Sequence, residues 1–201
     1  MWYYEKKLQY PVHIQKCDLR MAKVIMAQLG GPDGELAASL RYMSQRYLMP
    51  SGKTKGLLTD ISTEELAHVE VISAMLVQLM DGATPAQLQE AGLAGYYTQH
   101  GKAIYPADAN GVPFTSAYFQ SMEDPITNLH EDMAAEQKAR TTYEQLMKQT
   151  DDPDVLEPLR FQSQREVIHF QRFGETEQSI WNDYSGVADK PFETLFYLTR
   201  Q

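Results

Sequence analysis

The chain has one cysteine, Cys17. No internal disulfide can form, and a cysteine-rich zinc site is excluded. Long apolar runs are missing too: no stretch reaches the ~18 consecutive apolar residues of a membrane helix. The opening residues, Met1-Trp2-Tyr3-Tyr4-Glu5-Lys6-Lys7, have neither an apolar core nor a small-residue cleavage site, so they do not read as a secretory signal. A cytoplasmic, reducing location is the expectation. Clustered basic residues are the third absence. Lys6–Lys7 and Lys53–Lys55 come nearest, and both suit solvated surface. With a formal net charge of −9, nucleic-acid binding is not expected.

At 201 residues, one domain is expected, at roughly 100–200 residues per domain. A chain of this size buries about 70% of its unfolded surface and needs no metal merely to fold. Helical periodicity dominates. A short helix is expected from Asp18 to the Gly30–Gly31 break, and a second from Asp33 to about Tyr47, stopped by Pro50. A third covers Gly56–Asp81, and a short one follows Thr84-Pro85 to about Ala91. Residues 92–122 lack the repeat and read as a long irregular connection, with an extended piece near Gly111–Phe114. Asp124-Pro125 and Asp152-Pro153 open two more long helices, to about Gln149 and Trp181. Residues 1–184 thus form the domain. Residues 185–201 are a tail whose Phe192, Leu195, Phe196 and Tyr197 suit packing on the body or on a neighbouring subunit. Four long helices in two pairs, joined by a long crossover, make an all-α, ferritin-like four-helix bundle.

The inner seams of these helices carry acid where apolar residues belong. The Gly56–Asp81 seam runs Ile61, Glu65, His68, Ile72, Met75, Leu79. The third long helix gives Leu129, Met133, Glu136, Tyr143, Leu146. The last gives Leu159, Gln162, Glu166, His169, Phe173, and the first begins at Glu35 and continues through Tyr42. The exceptions form one set: a lone glutamate on the first and third helices, and Glu-x-x-His on the second and fourth. Residues three apart share a face, ~4.5 Å apart along the axis. Glu65 and Glu166 can therefore bridge two ions while His68 and His169 each bind one. A single Glu-x-x-His usually lies on a solvated face. Two of them on seams, joined by two seam glutamates, match the residue set of di-iron and di-manganese carboxylate bundles. Buried unpaired carboxylates cost several kcal/mol each, and two divalent cations balance four of them. His13 and His100 lie in irregular segments and His130 lies beside its seam; these suit structural or surface roles. Cys17 suits a small, buried or half-buried residue. Met21, Met26, Met75, Met80, Met133 and Met147 suit core filling.

Residue types alone leave iron and manganese open. The strings Tyr10-Pro11, Gly30 through Tyr42, Glu64-Glu65-Leu66-Ala67-His68-Val69-Glu70, Glu136-Gln137-Lys138-Ala139-Arg140 and Arg165-Glu166-Val167-Ile168-His169-Phe170 resemble the manganese catalase family. The opening residues, from Met1 to Pro11, resemble its CotJC-type spore coat branch. The resemblance implies two manganese ions per subunit, held by Glu35, Glu65, His68, Glu136 and His169. It makes Glu166 a proton carrier beside the metals rather than the sixth ligand that spacing alone suggests. It assigns Tyr42 a hydrogen bond near the ligand at Glu35. It further implies disproportionation of hydrogen peroxide, assembly into a homo-oligomer (a hexamer in the family), and a place among spore coat proteins. Some members carry an arginine, orienting the proton-carrying glutamate, where this chain has Ala135. Two other readings remain at this stage. One is a di-iron oxidase or peroxidase of the rubrerythrin or ferritin kind; the other is a coat or scaffold protein that keeps the bundle for assembly.

Overall fold

The computed structural model describes residue 5 and residues 7–185; the expected tail, residues 185–201, lies outside them but for Ser185. Among the described residues the fold is all helical. Helices α1 (Leu19–Gly30), α2 (Glu35–Gln45), α3 (Gly52–Leu79), α4 (Pro85–Glu90), α5 (Ala94–His100), α6 (Pro125–Met147) and α7 (Pro153–Ser185) follow one another, with 3-10 turns at Arg46–Leu48 and Ser116–Phe119. None of these helices is long and apolar enough to cross a membrane.

The helix starts lie where the sequence puts them because side chains satisfy the free amides of each first turn. Asp18 accepts from the Met21 amide at 2.9 Å, and Asp124 accepts from that of Thr127 at 2.7 Å ahead of Pro125. Asp152 accepts from the Asp154 amide at 3.0 Å. Thr84 and Gln87 cap each other's backbone at α4. Helix α3 begins at Gly52, earlier than Gly56, since Ser51 and Thr54 form a reciprocal cap there.

Three departures from the sequence expectation concern organisation. The stretch 92–122 contains α5, whose Gly and aromatic residues give little helical periodicity; Gly101, at φ 60°, ends it. The extended piece near Gly111–Phe114 is only an isolated bridge between Ala107 and Pro113. Helix α1 is no accessory. Both α1 and α2 pack on α3 and α6, so together they fill one position of the bundle, interrupted at Gly31–Gly34. Cys17, expected half-buried or deeper, is exposed.

Gly30 lets the crossover lie against the end of α1. A Cβ there would stand 2.3 Å from the Ala107 nitrogen and 2.6 Å from the Pro106 carbonyl carbon. Both neighbours are backbone and cannot turn aside. Gly30→Ala is therefore expected to lower unfolding free energy by about 1–3 kcal/mol, read as a drop in the thermal midpoint by circular dichroism. An unchanged midpoint would contradict this close approach.

Two apolar clusters fill the bundle. One joins Val12, Ile14, Met21, Ile25, Leu29, Val71, Ile72, Met75, Leu146 and Leu159. The other joins Tyr42, Met49, Leu58, Ile61, Ile126, Leu129, Phe173 and Ile180. On α3, α6 and α7 alike, the polar seam residues fall between the two clusters in sequence. Glu65 and His68 stand between Ile61 and Val71, and Glu166 and His169 between Leu159 and Phe173.

Candidate metal centre

In that middle layer Glu35, Glu65, His68 and Glu166 bring ligand atoms within 4.8 Å of one another, and so do Glu65, Glu136, Glu166 and His169. The two groups share Glu65 and Glu166. All six side chains are buried. Glu35 reaches the layer from the first turn of α2, Glu65 and His68 from α3, Glu136 from α6, and Glu166 and His169 from α7.

Both imidazoles turn Nδ1 toward the carboxylates. His68 Nδ1 lies 2.9 Å from Glu65 Oε2 and 3.4 Å from Glu35 Oε2. His169 Nδ1 lies 2.6 Å from Glu65 Oε1 and 3.6 Å from Glu136 Oε2. The two rings stack with centroids 5.6 Å apart. Tyrosines hold two of the acids from behind. The Tyr42 hydroxyl donates to Glu136 Oε1 at 2.5 Å, and that of Tyr143 donates to Glu35 Oε1. The bond expected from Tyr42 near Glu35 thus goes to Glu136, and Tyr143 on α6 supplies the one to Glu35.

Burial pushes Glu35 well above the usual carboxylate range, with the charge of Glu65 adding to it. Burial pushes Glu166 up as well, reinforced by Glu35, Glu136 and Glu65. Glu65 goes the other way: burial opposes its charge, but His169 and His68 outweigh that and hold it well below the usual range. Burial disfavours both imidazolium ions, yet the carboxylates, Glu65 foremost, bring His68 up to about 9 and His169 up to about 12. Burial keeps the Tyr42 phenol protonated, helped by the charge of Glu136, so it stays a donor.

Without metal, the layer is thus neutralised by protons on imidazole and carboxyl groups. Protons leave it imperfectly satisfied. Glu166 Oε1 is buried and meets no hydrogen-bond partner, and Glu65 Oε1 and His169 Nδ1, though 2.6 Å apart, are not aligned for a hydrogen bond. Buried polar atoms are seldom orphaned without a reason. Four carboxylates, two imidazoles and unpaired donor atoms between the groups fit a pair of divalent cations, whose charge balances the acids.

His68 is raised in the folded state, so its stabilising contribution is fully present below about 6.5 and is lost as pH climbs through about 9. In the metal-free protein that loss is roughly 3 kcal/mol. Metal binding needs the neutral imidazole and releases the proton, so apparent affinity rises across the same window, by about tenfold per pH unit for each proton displaced. Chemical denaturation of metal-free protein and metal titration at several pH values are expected to give opposite slopes. Parallel slopes would contradict this proton balance.

Sequence reading missed three features. Tyr143 looked like seam filler. Glu64, beside Glu65, faces the far side of both imidazoles: Oε2 lies 3.1 Å from His169 Nε2 and Oε1 3.8 Å from His68 Nε2. Arg165 donates to it through Nε at 2.7 Å and Nη2 at 3.1 Å, and Gln9 at 2.8 Å. The signal was in the two motifs: each seam glutamate follows a charged residue, acidic on α3 and basic on α7. Asp132, a turn before Glu136, is fully buried with neither oxygen hydrogen-bonded, and burial pushes its carboxyl well up. Ala135, where some relatives were expected to carry arginine, is buried. A cavity of about 450 Å³ lies elsewhere, lined by Lys23, Tyr96, His100 and Tyr105, and none of the six residues borders it.

A carboxylate- and imidazole-lined cluster with two overlapping groups that could hold metal lies inside an all-helical bundle of ferritin-like build. The chain belongs to the manganese-containing catalase family, whose model matches residues 1–197. It is 54% identical over 180 residues to Protein CotJC of Bacillus subtilis (strain 168), covering 90% of this chain and 95% of that one. A manganese catalase of Lactiplantibacillus plantarum is 29% identical over 197 residues, covering 92% of this chain and 74% of the relative. The crystal structure of KatB, a manganese catalase from Anabaena, superposes with a TM-score of 0.81 at 28% identity, over 96% of this chain and 84% of that one.

Proposed function

We propose that this protein disproportionates hydrogen peroxide to water and oxygen at a dimanganese centre held by Glu35, Glu65, His68, Glu136 and His169. The observation that carries this is the pair of buried ligand groups sharing Glu65 and Glu166, in a chain of the manganese catalase family. In the reaction, one peroxide gives up two electrons and two protons and leaves as oxygen. A second takes up both, and its O–O bond breaks to give two waters. Bound manganese supplies storage for the two electrons and Lewis acidity toward peroxide.

The chain's own groups do the rest. Glu166 reaches both ligand groups and has a free Oε1. It takes up a proton at that carboxylate as the first peroxide is oxidised and returns it to the second. Tyr42 and Tyr143 fix the orientation of Glu136 and Glu35 by donating to them. The two apolar clusters keep bulk water from both ends of the layer, and a substrate as small as peroxide needs no wide cavity. Likeness to CotJC supports a place in a spore coat, and the family supports a homo-oligomer, with the hexamer as its expected form. Iron remains the competing metal. Metal-free protein reloaded with manganese is expected to evolve oxygen from peroxide, and iron-loaded protein is not. Oxygen evolution from the iron form alone would favour a di-iron enzyme. Absence from both, with both metals bound, would favour a scaffold.

A further inference from the structure

Glu64 stands about one turn before His68 along α3, and Arg165 holds the matching place before His169 on α7. The Glu64 side chain is 15% exposed. It is gripped from three sides: by Arg165 through two nitrogens, by Gln9 from the N-terminal segment, and by the imidazoles beneath. The N-terminal segment seals this side of the layer. Tyr10 stacks on Phe161 at 4.7 Å between centroids, and Phe161 stands edge-on to His68 at 6.3 Å. Both Nε2 atoms are buried without a hydrogen-bond partner of good geometry. In each ion-pair geometry recorded for Nε2, the acid is Glu64.

An imidazole that presents the Nδ1 lone pair to a cation must carry its proton on Nε2. A carboxylate beside Nε2 holds that tautomer, sets the ring plane and raises the basicity of Nδ1. Such partners ordinarily serve one histidine each. Here one carboxylate faces two, and the two histidines belong to different ligand groups.

We infer that Glu64, clamped by Arg165, is a positioning residue shared by His68 and His169, and that it couples the two metal positions. This rests on the dimetal reading above. Because both rings depend on one carboxylate, its loss disturbs both positions at once, whereas loss of a partner private to one histidine would disturb one.

The test is manganese(II) titration of metal-free protein, with free ion followed by its electron paramagnetic resonance signal. Wild type, Glu64→Gln and Arg165→Gln are compared, each checked for helical content. Glu64→Gln is expected to weaken both binding steps about 10–100-fold. Arg165→Gln keeps the carboxylate but frees it, and is expected to weaken both steps to a smaller extent. Should Glu64→Gln fail to fold, Arg165→Gln carries the same test. Unchanged affinities, with only a lower thermal midpoint, would reduce Glu64 to a structural ion pair and overturn the inference. Weakening of one step alone would overturn the coupling. Wild-type protein that takes up no manganese would overturn the metal centre itself, and this role with it.

Discussion

Glu65→Gln is expected to leave the protein unable to hold a pair of ions. Glu65 is the ligand candidate that touches both histidines, at 2.9 Å and 2.6 Å, and it belongs to both groups. Glutamine keeps the shape but not the charge, and its amide nitrogen is a donor turned toward cations. Bound metal is expected to fall below two ions per chain, and oxygen evolution to fall by more than about a hundredfold, beyond the range for changes to a ligand's neighbours. The metal-free protein suffers as well, because two buried imidazolium ions lose the carboxylate that faces them both. Removing one partner of a buried pair costs about 3–5 kcal/mol. Elemental analysis and thermal melts of metal-free wild type and variant measure both effects. Full metal content in the variant would mean that Glu65 bridges nothing.

Glu166→Gln separates two roles that spacing and family resemblance assign differently. As a proton carrier, Glu166 can lose its charge without releasing metal. Oxygen evolution is then expected to fall about 100–10,000-fold while two ions per chain remain. As a ligand, it would take metal with it, and content and activity would fall together. The structure places Glu166 within reach of both groups. Ala135 beside Glu136 offers no polar group to hold it, and Oε1 meets no hydrogen-bond partner. A carboxyl kept above its usual range by burial and by three neighbouring acids is a group suited to carrying a proton. Metal analysis beside an oxygen electrode decides between the roles.

Much of this site could be read from the sequence because a helix repeats so regularly. Glu65 with His68, and Glu166 with His169, were visible as polar pairs on apolar seams. Glu136 stood out between Met133 and Tyr143 for the same reason. What periodicity cannot supply is the register between helices. Tyr42 and Tyr143 both lie on seams, but which acid each meets depends on how α2 and α6 slide past one another. Glu64 sits off the seam, and the Arg165 that covers it is more than a hundred residues away in the chain, so periodicity gives no sign of its role. Asp132 likewise reads as surface acid until α2 is packed on it. The split of the first bundle helix into α1 and α2 was legible as a Gly–Gly break, but not its consequence, that both pieces share one position.

The buried acids of this bundle are proposed to hold two manganese ions that turn over peroxide. The most direct measurement is oxygen released per peroxide consumed, by protein whose bound manganese has been counted. Two ions per chain and one oxygen for every two peroxides are the expected result. Zinc alone, one ion per chain, or fully loaded protein that releases no oxygen would contradict the claim.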